Sequence, residues 1–133
     1  MLALAGLLAA CGHGPRPPEG HEVTLSGAQE VPANTSAASG SGSVHVAPDR
    51  SVTGTVRYTG MLATMAHIHE APFGANGPVI VPLVKTGDGL FAVPPDTSLT
   101  PPQYASYLAG NLYVNVHSAA YPAGEIRAQL KPK

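Results

Sequence analysis

Short runs of alternating apolar and polar residues recur along this chain, each stopped within a few positions by glycine or proline. Glu22-Val23-Thr24-Leu25-Ser26 alternates and ends at Gly27; Ser43-Val44-His45-Val46-Ala47 alternates and ends at Pro48-Asp49. Between them, Asn34 to Gly42 carries only small or polar side chains with little to pack and reads as a loop. Ser51 to Thr59 places Val52, Gly54, Val56 and Tyr58 on one face and Thr53, Thr55, Arg57 and Thr59 on the other. That is the half-buried pattern of an antiparallel strand. Further strands are expected at Thr64 to His69, Val79 to Val84, Leu90 to Val93, Leu112 to His117 and Glu125 to Leu130. Pro82 inside one of them argues for an edge position or a bulge, because proline cannot donate to a ladder. One helix is predicted: Thr100 caps it, Pro101 takes its first position, Tyr104, Tyr107 and Leu108 share a face, and Gly110 stops it. Seven to eight strands with one short helix predict an all-β, Greek-key antiparallel β-sandwich over residues 22–131.

Composition narrows the picture. Fifteen Gly and fourteen Pro favour short strands and many turns, and an 11% charged share is less than half that of an ordinary globular domain. A formal net charge of −1 with no basic block offers no footprint for nucleic acid. The single cysteine, Cys11, rules out an intrachain disulfide. Leu2 to Ala10 is apolar but too short to span a bilayer and is similar to the apolar stretch of a secretion signal. Leu8-Ala9-Ala10-Cys11 resembles the bacterial lipobox, in which the cysteine is lipidated and becomes the mature N-terminus. Residues 1–11 are therefore expected to be a signal peptide with lipobox, and residues 12–21 a Pro/Gly-rich tether. The expected location is the bacterial cell envelope, lipid-anchored, periplasmic or surface-exposed, with the membrane met through the anchor alone.

The candidate chemistry lies in histidines. Residues two apart in a strand point the same way, so Met65, His67 and His69 share a face, as do Tyr113, Asn115 and His117. A weak internal repeat equates the two strands. Ile68-His69-x-Ala71-x-Phe73 followed by Gly77-x-Val79 mirrors Val116-His117-x-Ala119-x-Tyr121 followed by Gly124-x-Ile126. If the two strands are neighbours, three imidazoles converge at one end of the sheet. Three neutral imidazoles without thiolate suit copper or zinc rather than magnesium or calcium. His67, His69 and His117 are the expected ligands of one copper ion. Met65 is a candidate soft ligand favouring Cu(I), and Glu70 and Glu125 are candidate ligands or partners that orient an imidazole. His13 and His21 fall in the tether, and His45 alternates away from the core; none of the three joins the site.

The ordered set Leu25-Ser26-Gly27-Ala28-Gln29-Glu30-Val31-Pro32, Ala66-His67-Ile68-His69, Gly74-x-Asn76-Gly77-Pro78-Val79, Gly110 to His117 and Tyr121-Pro122-Ala123-Gly124-Glu125-Ile126-Arg127 resembles the CHRD (chordin-repeat) domain. The resemblance runs from about Glu22 to Leu130 and implies a β-sandwich outside the cytoplasm, with no settled activity. A more distant likeness is to copper-zinc superoxide dismutases, whose copper strand also reads His-x-His before an acidic residue, as in His67-Ile68-His69-Glu70. No counterpart of their bridging histidine or zinc loop is present. Arg127 is only a loose match to their anion-attracting arginine, and reads better as a solvated strand arginine or a partner of Glu125. Three functions follow as expectations: a cell-envelope copper protein for transport, buffering or electron transfer; a superoxide dismutase-like copper enzyme; and a metal-free module that docks a protein partner.

Overall fold

The computed structural model describes residues 21–132 of the chain. The expected signal peptide, Cys11 and His13 lie outside the described residues, as does the tether up to Gly20. Nine strands, one α-helix and a single 3-10 turn (Gly27–Gln29) follow: β1 (His21–Ser26), β2 (Ser39–Val46), β3 (Val52–Thr59), β4 (Ala63–Glu70), β5 (Val79–Pro82), β6 (Val84–Gly87), β7 (Leu90–Ala92), α1 (Pro101–Leu108), β8 (Leu112–Ser118) and β9 (Ile126–Gln129). They form one antiparallel sheet in the order β5-β4-β8-β9-β1-β2-β3-β7-β6. The two terminal strands, β5 and β6, are consecutive in sequence, and Leu83 between them donates its N–H to the Ala66 carbonyl at 2.9 Å. The sheet thus curls almost into a barrel, an all-β, sandwich-like fold as the alternation predicts. The connections from β3 to β4 and from β7 to β8 join strands that are not neighbours, the crossing connectivity expected of a Greek key.

The core lies inside this curl. Leu25, Val44, Val56, Ile68, Leu112, Val114, Val116 and Ile126 are each at most 1% exposed. In β3 the predicted alternation holds: Val52, Val56 and Tyr58 are buried while Thr53, Thr55, Arg57 and Thr59 face water. The helix also forms as expected. The Thr100 side chain accepts from the Gln103 N–H, and the Gln103 side chain in turn accepts from the Thr100 N–H, which satisfies two otherwise free donors. Leu108, however, is 56% exposed; the packed residues are Tyr107 and, partly, Tyr104.

Two expectations about strands need correction. The stretch Val79 to Val84 divides at Leu83 into β5 and β6, which gives nine strands; Pro82 closes β5 at an edge of the sheet order. Ser39 to Gly42 is strand, not loop. Its glycines have no apolar side chain to signal burial, yet the strands approach closely there. A Cβ on Gly42 would collide with the Thr55 carbonyl, and one on Gly40 would sit 2.9 Å from the Arg57 carbonyl. Such closeness between backbones is what glycine permits in a strand.

Candidate metal centre

Strands β4 and β8 are direct neighbours. Met65 pairs with His117, His67 with Asn115 and His69 with Tyr113, so one face of the pair carries all three predicted histidines. The opposite face sends Ala66, Ile68, Val114 and Val116 into the core, which fixes the register, since a one-residue slip would expose them. One ring nitrogen from each of His67, His69 and His117 lies within 4.8 Å of the others. Ring centroids are 4.8 Å apart for His67 and His117, 5.5 Å for His67 and His69, and 5.8 Å for His69 and His117. His69 and His117 are buried at 7% and 5% exposure, and His67 is half-buried.

Each strand is followed by a loop that turns back over this face, and each loop returns one backbone carbonyl to its own histidine. Nδ1 of His69 lies 3.0 Å from the Gly77 oxygen, and Nδ1 of His117 lies 2.9 Å from the Pro122 oxygen. A carbonyl only accepts, so both Nδ1 atoms carry the proton and both Nε2 atoms present a lone pair. The His117 lone pair is met by Nδ1 of His67 at 3.0 Å. Among the described residues the buried His69 Nε2 has no partner at hydrogen-bond geometry, although the Asn115 side chain lies near enough to act on the ring. Burial is the leading cause that holds all three imidazoles below their ordinary proton affinity; mutual repulsion adds to it at His67 and His69. Neutral rings are the state a metal ion requires, and a bound ion would take the His117 lone pair in place of the His67 N–H.

A family model described as the CHRD domain matches residues 22–130. The chain belongs to the CHRD domain family. The match covers nearly all of the described residues and every residue of the histidine cluster. Comparison with curated proteins and with solved structures returns no match.

Within this CHRD domain the other expected site residues take separate places. Met65 is 52% exposed on the histidine face, directly across from His117. Glu70 closes β4 opposite Leu112, one position past His69 and so on the other face of the strand. The Glu125 carboxylate accepts from the hydroxyls of Ser36 and Ser118, both at 2.6 Å, rather than from an imidazole. It ties the 30–38 segment to the end of β8. His45 sits on β2 across from Thr53, away from the cluster.

Arg127 corrects the sequence reading most. It is neither solvated nor paired with Glu125, but fully buried at 0% exposure. Its guanidinium lies 3.5 Å from the centre of the Tyr113 ring. Tyr113 in turn stacks on His69, with centroids 4.7 Å apart and planes 3° from parallel. The guanidinium donates to the carbonyls of Ala75 at 2.8 Å and Pro72 at 3.3 Å, and to the side-chain oxygens of Asn76 at 3.4 Å and Gln129 at 3.1 Å. With Gln129 donating to the Ala71 carbonyl, and the Gly77 N–H donating to the Tyr113 hydroxyl, the 71–78 loop is held over His69. The alternation of β8 already placed Tyr113 and Asn115 on the histidine face; Arg127 and Glu30 stand in the motifs that carry the CHRD resemblance, but no periodicity assigned them to the site.

Glu30 is 5% exposed, and burial pushes its carboxyl up to about 7 despite the opposing pull of Asn115 and Arg127. Gly124 packs flat against its carboxylate and the Asn115 amide, where a Cβ would meet both. Among the described residues the buried side-chain nitrogen and oxygen atoms without a hydrogen bond are Glu30 Oε1, His69 Nε2, Asn115 Oδ1 and Arg127 Nε. All four belong to this one neighbourhood. Buried polar atoms are ordinarily satisfied, so their concentration here marks a place built for something other than stability.

Proposed function

We propose that this domain is a cell-envelope copper-binding protein, holding one copper ion through His67, His69 and His117 for transport, buffering or electron transfer. The observation that carries the reading is the buried, unpartnered Nε2 of His69, beside two more imidazoles whose proton affinities are likewise depressed. An orphaned acceptor of that kind costs roughly 1–3 kcal/mol, a cost that a bound cation removes. The donor set supports copper: three imidazoles without carboxylate or thiolate, and a thioether at Met65 on the same face. The test is a copper titration of untagged protein. His69→Ala and His117→Ala should each lower affinity at least a hundredfold with the fold retained by circular dichroism. Unchanged stoichiometry and affinity in both variants would reject the site. Attachment through Cys11 belongs to the same proposal and predicts a lipid-modified mass in the membrane fraction.

The half-exposed edge of His67 favours a second reading, in which the same ion turns over superoxide or a similar small oxidant. Copper-loaded protein that dismutates no faster than an equal amount of buffered copper would dispose of it.

A further inference from the structure

The charge beneath the cluster bears on which ions it accepts. Arg127 is a permanent cation at 0% exposure, and no carboxylate among the described residues accepts its hydrogen bonds. Every oxygen it donates to is neutral: the carbonyls of Ala75 and Pro72, and the amide oxygens of Asn76 and Gln129. Buried charges are ordinarily paired with an opposite charge, which makes this arrangement unusual. Only the Tyr113 ring separates the guanidinium from His69. The ring sits on β8 between β4, which carries His69, and β9, which carries Arg127. Among the described residues the carboxyl that acts on this charge is Glu30, and its burial favours the neutral acid below about pH 7.

No carboxylate stands among the ligands. The three imidazoles are neutral, Glu125 is engaged by two serines, and the Glu70 side chain leaves the other face of β4. A divalent ion here would place two positive charges over a buried third, with no anion among its ligands. A monovalent ion halves that repulsion. Within a protein, one unit charge acting on another across one intervening ring changes an equilibrium by at least about tenfold. Thus, resting on the metal reading above, we propose that the uncompensated guanidinium of Arg127 makes the cluster selective for a soft monovalent cation, Cu(I) or Ag(I), over Cu(II) and Zn(II).

The experiment measures the full chain's affinities for Ag(I), for Cu(I) without oxygen against a competing chelator, and for Zn(II) and Cu(II). Two variants accompany it. Gln129→Glu keeps the guanidinium and gives it a counter-ion at the position of a neutral acceptor, at the loss of the amide's donations to the Ala71 and Gly110 carbonyls, while Arg127→Gln removes the charge. The expected result is a monovalent-to-divalent affinity ratio that falls about tenfold or more in both variants relative to wild type. Should Arg127→Gln fail to fold, Gln129→Glu alone decides. Ions bound with a ratio unchanged by the added carboxylate would overturn the selectivity argument and leave the histidine site standing. No ion bound by the wild-type chain would instead remove the site itself.

Discussion

Glu30 shows how a single side chain here works against folding. Its carboxyl is raised from 4.5 to about 7 in the folded protein, chiefly by burial. Below pH 4.5 it is neutral folded or unfolded and costs nothing. Between 4.5 and 7 the unfolded chain ionises first, so stability falls as pH rises, and above 7 the loss is complete. Glu30→Gln should therefore stabilise the metal-free protein by about 2–3 kcal/mol at pH 8 and by almost nothing at pH 4. Urea denaturation at the two pH values measures the difference, and equal gains would contradict the assignment. The histidines present the opposite sign. Their folded proton affinities are depressed, so the stability they leave intact above pH 6.5 is lost as the pH falls below it. In Glu30→Gln the stability profile should accordingly rise through pH 6.5 and then level off, where wild type declines above its maximum. The histidine trio was legible in the sequence because its residues obey a two-residue period on two strands with like endings. Arg127 was not. The carbonyls that receive it come from positions 72 and 75, more than fifty residues earlier, and no local pattern encodes them.

At the scale of elements, side-chain alternation revealed β3 because one face meets water and the other the core. The start of β2 escaped the same reading because glycines specify it by what they leave out. Gly42→Ala should destabilise the domain by about 1–3 kcal/mol, since the added methyl meets the backbone of Thr55 and Val56. Gly87→Ala, whose new methyl has nothing within 4 Å, should change stability by less than about 0.5 kcal/mol. Thermal midpoints of the pair separate the two cases. Helix α1 depends on its first turn more than on a broad apolar face, because Leu108 points to solvent. Thr100→Ala breaks the reciprocal cap and should cost about 1 kcal/mol.

For the molecule as a whole, the strand carrying two of the histidines lies between β5 and β8 and is bonded on both sides, and the Leu83 N–H extends its β5 ladder to Ala66. On the proposed copper reading, a site on such a frame is largely formed before an ion arrives, and binding should add to the folding free energy. With free copper at a hundred times the dissociation constant, the gain is about 2.7 kcal/mol. It is read as a rise in thermal midpoint that a chelator reverses and that His69→Ala lacks. The acceptors that orient His69 and His117 belong to the main chain, at Gly77 and Pro122. Pro122→Ala would consequently leave its carbonyl in place and make that contact look dispensable, while Gly77→Ala would disturb the loop for another reason, its methyl driven into the Glu70 carbonyl. Only shortening a loop, or replacing an amide by an ester, would reveal how much of the centre's chemistry is written in peptide groups that every substitution preserves.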